Sequence, residues 1–262
     1  MISVTKRGAA GAQPVILIHG AWHGAWCWEE NYLKYFAEQG FEVFAVDLRG
    51  HGNSPAVRNM RLNRISHYAD DIEHVIAGLS RPPVVIGHSM GGFIAQHLLA
   101  RGVVTRGVGL LTPVPYTGAI GITLRVIRTM PLIFLKAIFT LSLYPLIANR
   151  ERAAKIFLGD DAPQNVADKL AKNLQDESFF AFCDMLVLNL PKRPKGNTPV
   201  CVVGAGQDRL ISVKSVQKTG VRLGANVNII ADAPHDLMLA RQWKQSAQVF
   251  HNWIKGLPEQ SE

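Results

Sequence analysis

Val84-Val85-Ile86-Gly87-His88-Ser89-Met90-Gly91-Gly92 is the stretch of this 262-residue chain that decides its fold. A short β-branched run leads into Gly-x-Ser-x-Gly, and residues 93–100 follow with a composition typical of a helix. Strand, sharp turn and helix together hold a serine in strained backbone geometry with its hydroxyl exposed. The pentapeptide alone arises by chance in roughly one chain in ten. Its context therefore carries the prediction, and a plain glycine-rich turn is the alternative.

The composition is that of a folded globular protein, with 48% apolar and 18% charged residues. The length accommodates one large α/β domain or a domain with an insertion. Cys27, Cys183 and Cys201 are far apart and show neither a disulfide framework nor a zinc-ligand spacing. They favour a reducing compartment, and no apolar secretion signal is seen before the first predicted strand. We therefore expect a cytoplasmic protein.

The formal net charge of +8 raises the question of an anionic partner. The basic residues are mostly scattered and lie outside any array interleaved with aromatic residues. We expect a solvated basic surface and no nucleic-acid partner. One group of basic residues is different because it flanks an apolar stretch: Arg125, Arg128, Lys136, Arg150, Arg152 and Lys155.

Short apolar runs alternate with helical segments, which predicts an α/β class with a doubly wound, mostly parallel sheet. Sites in such sheets form beyond the carboxyl ends of the strands. The loops 19–28 and 47–54 and Ser89 all fall at that edge, so we expect them to converge on one rim. Strands are predicted over residues 15–18, 42–46, 84–86, 107–111, 200–203 and 227–230. Helices are predicted over residues 29–39, 66–79, 93–100, 213–219 and 237–255, with Ser66 as the N-cap of the second.

The alternation stops after residue 112, and no convincing strand is predicted before residue 197. We therefore predict that residues 1–112 and 197–262 form the two parts of an α/β core and that residues 113–196 form an inserted helical cap. Residues 132–148 approach the length of a membrane span, but Lys136 and prolines interrupt them. We expect this stretch to line an apolar pocket. Its basic flanks leave peripheral membrane contact through the cap as a further expectation.

A serine hydroxyl needs a base to act as a nucleophile near neutral pH, and the base needs an orienting carboxylate. His235 follows a late strand in a proline-bounded loop, from which it reaches back over Ser89. Asp208 follows the preceding strand on the same rim and is the predicted carboxylate, with Asp232 as its rival. Along the chain, Ser89 comes first, then Asp208 and then His235, and this is the nucleophile–acid–base order found in one class of α/β enzymes. The histidines of the rim loops are expected to hydrogen-bond loop backbone: His19, His23, His51 and His88.

The oxyanion of a tetrahedral intermediate needs two backbone N–H donors. Met90 follows the serine at a helix N-terminus, and Ala21 follows His19-Gly20 in the first rim loop. We predict that these two amides form the oxyanion hole and that no metal or cofactor takes part. Four side chains are expected to line the substrate pocket: Trp22, His88, Phe134 and Leu237.

These motifs together resemble the α/β-hydrolase superfamily over nearly the whole chain. The residues that carry the resemblance are His19-Gly20, Asp47-x-Arg49-Gly50-x-Gly52-x-Ser54, Gly87-His88-Ser89-Met90-Gly91-Gly92, Gly204-x-x-x-Asp208 and His235. The loop 19–28 is similar to the plant methylesterase and hydroxynitrile lyase branch. The loop 47–54 is closer to bacterial esterases, lysophospholipases and monoacylglycerol lipases. The short segment before Val15 implies that the first strands of the superfamily are reduced or absent.

Residues that differ between this chain and these relatives exclude or disfavour some reaction types. Hydroxynitrile lyases of that branch carry threonine at the position of Gly20 and lysine at the position of Asp236, so lyase chemistry is disfavoured. Epoxide hydrolases and dehalogenases of the superfamily use an aspartate nucleophile, and Ser89 excludes them.

The sequence thus predicts a serine hydrolase that cleaves carboxylic esters of lipophilic acyl or aryl groups through an acyl-enzyme. Its expected partner is a small-molecule ester, and the expected state is a monomer or homodimer. Thioester hydrolysis, C–C bond hydrolysis and cofactor-free perhydrolysis use the same triad and remain alternatives. A ligand-binding protein of this fold with little turnover is the alternative from another class.

Overall fold

The computed structural model describes residues 2–55 and 59–258. Seven strands form one sheet in the order β1-β3-β2-β4-β5-β6-β7. β1 pairs antiparallel with β3, and the other neighbouring strands pair in parallel. The strands are β1 Val4–Arg7, β2 Pro14–Ile18, β3 Glu42–Val46, β4 Val84–His88, β5 Gly107–Leu111, β6 Val200–Ala205 and β7 Asn226–Ile230. The predicted α/β class with a doubly wound, mostly parallel sheet is confirmed.

The central strands are buried on both faces, which explains their continuous apolar runs. Ile16 and Ile18 of β2 pack into one apolar cluster with side chains of α3 and α4. Val15 and Leu17 point to the opposite face and pack with side chains of α12. The alternation along a strand therefore supplies both halves of the core.

Helices lie between the strands in sequence, and one more follows β7. They are α1 Trp26–Trp28, α2 Lys34–Glu38, α3 Ile65–Ala77, α4 Met90–Arg101, α5 Ile120–Thr129, α6 Pro131–Thr140, α7 Tyr144–Ile147, α8 Arg150–Phe157, α9 Gln164–Asn173, α10 Phe179–Cys183, α11 Val213–Leu223 and α12 Trp243–Lys255. Two π-helical turns cover Glu29–Leu33 and Asp184–Leu188, and a 3-10 turn covers Met60–Leu62.

Several helix starts differ from the sequence prediction; α4, for example, begins at Met90 instead of residue 93. α3 begins at Ile65 and its N-cap residue is Arg64, so Ser66 is not the cap. The carboxylate of Asp184 accepts a hydrogen bond from the Ile65 N–H at 3.0 Å and satisfies the helix end from a distant part of the chain. The last helix begins at Trp243 instead of residue 237, because residues 237–241 form turns around the Asp236 carbonyl.

The segment between β5 and β6 contributes α5 to α10 and no strand among its described residues. We call residues 113–196 the cap segment; its status as a separate domain stays a prediction. Its helices bury their own apolar cluster, which includes Ala137, Leu146 and Phe157. The apolar stretch 132–148 is divided at Leu141, whose φ is 48°, into α6 and α7. In the described part of the chain, every helix is too short or too polar to cross a membrane.

Candidate active site

Ser89 lies in a tight turn between β4 and α4. Its φ of 50° and ψ of −112° are unfavourable for a residue with a side chain, and such strain is typical of functional positions. Close packing excludes side chains on either side of it. A Cβ on Gly87 would collide with the Gly91 carbonyl, and one on Gly91 would collide with the Ile18 carbonyl. The Gly-x-Ser-x-Gly pattern is therefore required by the turn itself.

Asp208 and His235 meet at the carboxyl edge of the sheet, as the sequence predicts. His235 Nδ1 lies 2.7 Å from Asp208 Oδ2, and both side chains are buried. The other carboxylate oxygen of Asp208 accepts hydrogen bonds from the N–H groups of Leu210 and Ile211 at 2.7 and 2.8 Å. These amides fix the carboxylate, which in turn orients the imidazole ring.

The electrostatic environment of His235 favours its protonated form. Burial by itself lowers the pKa of His235, but the adjacent Asp208 carboxylate raises it, and Asp236 adds to this effect. The net shift of the pKa is upward from 6.5. A base in this position holds the proton that it accepts from a nucleophile.

The rival carboxylate, Asp232, makes no contact with the His235 ring among the described hydrogen bonds. Its backbone carbonyl accepts from the side chain of Gln242, and it lines an outer cleft with Arg241. The geometry thus pairs His235 with Asp208.

The loop of His235 is held from below by two donors. His88 Nε2 and Thr112 Oγ1 each lie 3.1 Å from the His235 carbonyl and donate to it. The rings of His88 and His235 are 4.8 Å apart. Among the described residues, no hydrogen bond joins Ser89 Oγ to His235; such bonds are often long before substrate binds.

The backbone of Gly20 passes directly against the serine. A Cβ on Gly20 would lie 2.8 Å from His88 Nδ1 and 3.1 Å from the Ser89 Cβ. Ala21 and Met90 line the same cavity as Ser89. Both residues that the sequence predicts as oxyanion donors therefore lie beside the serine, one in the rim loop and one at the start of α4.

The Ala21–Trp22 peptide is held by two buried side chains, and the sequence predicts a backbone contact for only one of them, His23. His23 Nδ1 donates to the Ala21 carbonyl at 2.7 Å. The Trp22 N–H donates at 3.3 Å to Oε2 of Glu177, which belongs to the cap segment. Trp22 itself has a φ of 65°. These contacts hold a strained loop in place next to Ser89.

Asp236 connects this loop to the loop of the catalytic candidate His235. Its Oδ2 lies 2.9 Å from His23 Nε2, and both side chains are fully buried. Burial raises the pKa of Asp236, but the neighbouring histidines lower it by a larger amount, with His23 contributing most. The net shift of the pKa is downward. The position at which the lyases carry lysine is thus occupied by a carboxylate that faces His23.

His88, His235 and Asp236 place donor atoms within 4.8 Å of one another, a spacing that suits a metal ion. These groups already make protein contacts: His88 Nε2 with the His235 carbonyl, His235 Nδ1 with Asp208, and Asp236 Oδ2 with His23. We therefore assign the cluster to hydrogen bonding of the two loops.

An apolar cavity opens over Ser89 beneath the cap segment. Its empty space is about 770 Å³ when the open mouth is included, and its lining is almost wholly apolar. Of the four predicted substrate residues, Trp22 and Phe134 line it. The full lining is Ala21, Trp22, Ser89, Met90, Val114, Ala119, Ile122, Thr123, Val126, Met130, Phe134, Leu143, Leu146, Ile147, Ile156, Phe157, Phe182, Met185, Leu210 and Ile211.

The other two predicted substrate residues, His88 and Leu237, are outside this lining, and the prediction is corrected for both. His88 is the last residue of β4, and its ring points under the cavity toward the His235 carbonyl. Leu237 is wholly buried and belongs to the apolar cluster that also contains Met238 and Phe250. Proximity in sequence to Ser89 or His235 does not direct a side chain to the cavity.

A larger and more polar cleft of about 1060 Å³, open space included, lies beside α9. Its lining includes Asp160, Arg209 and Arg241 but none of Ser89, Asp208 and His235. The apolar cavity is therefore the candidate substrate site.

Comparisons with known proteins agree with this architecture. A sequence model described as the alpha/beta hydrolase family matches residues 15–249. The mouse protein phosphatase methylesterase 1 is 36% identical over 112 residues, which are 41% of this chain and 28% of that protein. A bifunctional esterase/perhydrolase from Acinetobacter calcoaceticus is 38% identical over 90 residues, which are 34% of this chain and 32% of that protein. The chain thus spans less than a third of the length of these curated relatives.

Two solved structures illustrate the fold. The enol-lactonase from Burkholderia xenovorans LB400 superposes with a TM-score of 0.74 at 16% identity, over 97% of this chain and 96% of that one. The Paleococcus ferrophilus monoacylglycerol lipase superposes with a TM-score of 0.69 at 19% identity, over 98% and 100% of the two chains. At these identities the likeness concerns the fold.

Proposed function

This chain belongs to the alpha/beta hydrolase family, and from that premise we propose that it is a serine hydrolase that cleaves carboxylic esters through an acyl-enzyme. The observation that carries the proposal is the buried His235–Asp208 pair on the rim at which the strained Ser89 opens into an apolar cavity. A nucleophile, an oriented base and a substrate cavity are the parts that acyl transfer needs.

The mechanism follows from the position of each group. Ser89 Oγ attacks the ester carbonyl while His235 takes its proton, and Asp208 stabilises the imidazolium that forms. The N–H groups of Ala21 and Met90 hold the oxyanion of the tetrahedral intermediate. His235 returns the proton to the leaving alcohol. A water molecule, activated by the same histidine, then hydrolyses the acyl-enzyme and regenerates Ser89.

The lining of the cavity supports a lipophilic acyl or aryl group as the part of the substrate that is bound. Nearly all its side chains are aliphatic, aromatic or methionine, and they come from the core and the cap segment together. Burial of apolar substrate surface is favourable by about 25 cal/mol per Å². A long acyl chain therefore gains binding energy here that a small polar ester does not.

A series of p-nitrophenyl esters from acetate to palmitate tests this assignment. We expect kcat/KM to rise by roughly fourfold per methylene, which corresponds to ~0.8 kcal/mol, until the acyl chain fills the cavity. Phe134→Ala, which removes a ring from the lining, is expected to move the optimum to longer chains. Leu188→Ala, at an exposed position outside the cavity, is the matched control. A steady rise of kcat/KM as the acyl chain is shortened contradicts a lipophilic substrate.

The close approach of Gly20 to the serine gives a second prediction. Gly20→Ala is expected to lower kcat by about 10²-fold, because the new Cβ displaces the Ala21 amide from the oxyanion. Gly121→Ala is the matched control, since a Cβ there meets nothing within 4 Å. Activity on p-nitrophenyl butyrate and the thermal midpoint of both variants are the measurements. Unchanged kcat in a folded Gly20→Ala protein removes Ala21 from the oxyanion hole.

The alternatives with the same triad differ only in the group that leaves or the molecule that accepts the acyl group. Thioester hydrolysis, C–C bond hydrolysis and perhydrolysis all pass through Ser89, so they remain predictions. A ligand-binding protein with little turnover differs in kind. Turnover of any ester in the series that depends on Ser89 excludes it.

A further inference from the structure

The cap segment carries an exposed apolar surface on α5, α6 and the start of α7, which we call the cap face. Leu132 and Phe139 of α6 are 80% and 79% exposed, which is unusual for large apolar side chains that are so close together. In α5, Ile120, Leu124 and Ile127 recur at the spacing of one helix face. The cap face consists of Ile120, Leu124, Ile127, Leu132, Leu135, Ile138, Phe139, Leu141 and Tyr144.

The charged side chains of α5 and α6 are all basic. No aspartate or glutamate occurs between Glu73 and Glu151 in the sequence. Arg128 and Lys136 are exposed on α5 and α6 and form no ion pair with the described residues. Arg125 donates to the carbonyl of Arg209 and also stays exposed. A surface of apolar side chains among unpaired cations is complementary to an anionic, apolar partner.

The two helices of the cap face also form the outer wall of the substrate cavity. Val126 of α5 and Phe134 of α6 point inward and line it, together with Met130 at their junction. The same helices therefore separate the cavity from whatever covers their outer side. If this side lies on a membrane, α5 and α6 stand between the cavity and a lipophilic ester that is dissolved in that membrane.

We propose that the cap face docks on an anionic lipid bilayer, with its apolar side chains in the interface and its cations among the headgroups. Short amphipathic helices with aromatic or leucine residues on one side and cations beside them bind membranes in this way. A second copy of the chain is the poorer partner, because the exposed cations of α5 and α6 would then face one another and neither helix carries an acid. The inference deepens the proposed function, on which it rests for the origin of the substrate, but binding itself does not need turnover.

Sedimentation of the full chain with vesicles tests the docking. The probes are vesicles of phosphatidylcholine alone and of phosphatidylcholine mixed with phosphatidylglycerol. We expect binding to the anionic vesicles and at least about tenfold weaker binding by Leu132→Ser with Phe139→Ser, since both changes remove apolar side chains from the interface. Val221→Ser is the matched control, because Val221 is 82% exposed but lies on α11, outside the cap segment. Its binding is expected to equal that of the wild type.

Two double variants that each remove two positive charges distinguish contact through the cap face from general attraction between the basic protein and anionic vesicles. Arg128→Gln with Lys136→Gln is expected to weaken binding to anionic vesicles by an order of magnitude or more, at about fivefold per cation. Lys244→Gln with Lys255→Gln removes the same charge from exposed positions on α12 and is expected to change binding much less. An equal loss in both pairs overturns docking through the cap face.

Three other outcomes also overturn the proposal. They are absence of binding to either kind of vesicle, equal binding by the Leu132 and Phe139 variant, and a homodimer in solution that this variant dissociates. Hydrolysis of soluble p-nitrophenyl butyrate is measured in parallel and is expected to be unchanged in the variants. Vesicle binding without ester turnover in any protein supports the docking and refutes the proposed function, so the two failures are distinguishable.

Discussion

Ser89→Ala is expected to lower kcat for p-nitrophenyl esters by more than about 10⁴-fold, because the acyl-enzyme has no other oxygen on which to form. The rest of the site stays in place in this variant, since Ser89 makes its backbone contacts through N–H and C=O groups. Binding of a long-chain ester should therefore persist. Steady-state kinetics, with substrate binding measured separately, check both statements.

The control for this variant is Ser66→Ala, which removes a hydroxyl from the partly exposed start of α3. It should retain wild-type activity. If Ser89→Ala and wild type turn over esters at the same rate, the ester hydrolase proposal is wrong. If neither protein turns over any ester, a ligand-binding role or another acyl transfer takes its place.

Asp208→Asn is expected to lower kcat by about 10³- to 10⁴-fold, because an amide neither stabilises the imidazolium nor holds the ring in the required tautomer. It should also shift the pH dependence. His235 must be neutral to accept a proton, so activity rises with pH through the pKa of His235, which lies above 6.5 in the wild type. Loss of Asp208 removes the charge that raises this pKa, so the acidic limb of kcat/KM should move to lower pH.

Asp232→Asn is the matched control, because Asp232 was the rival in sequence but lies in the outer cleft. Its rate and pH profile should match those of the wild type. A large loss in Asp232→Asn together with an unchanged Asp208→Asn would reverse the assignment of the carboxylate. An acidic limb that stays in place in Asp208→Asn would show that this limb belongs to another group.

The sheet could be predicted because the composition of each central strand reflects its burial. β2 and β4 are buried on both faces and are therefore apolar without interruption. β1 was not predicted as a strand, since Val4–Arg7 is mostly exposed and half of it is basic. It exists because the edge of β3 offers backbone partners, and such pairing leaves little trace in four residues.

The positions of the three proposed catalytic residues were predictable because each follows a strand at the same edge of the sheet. Ser89, Asp208 and His235 follow β4, β6 and β7, and parallel strands bring their carboxyl ends together. His88 and Leu237 were placed wrongly because adjacent residues on a strand or turn point in different directions. Strand topology predicts where a residue lies better than where its side chain points.

Two contacts that support the loop 19–28 could not be predicted from the sequence. His23 was expected to bond loop backbone, and it does so at Ala21, but its second partner is Asp236, 213 residues away. Glu177 reaches the same loop from the cap segment, 155 residues from Trp22. Neither pair has a characteristic spacing, so a sequence motif does not find them. Only the packed fold brings these buried carboxylates to the loop.

The central claim is that Ser89 carries the acyl group, and covalent trapping tests it most directly. The wild-type protein is treated with a long-chain alkyl fluorophosphonate, which forms a stable phosphonyl ester on an activated serine, and the modified peptide is located by mass spectrometry. We predict one adduct per chain, located on Ser89, with parallel loss of esterase activity and no adduct in Ser89→Ala. An inactivated enzyme that carries its adduct on another residue, or an active enzyme that carries none, would contradict the account.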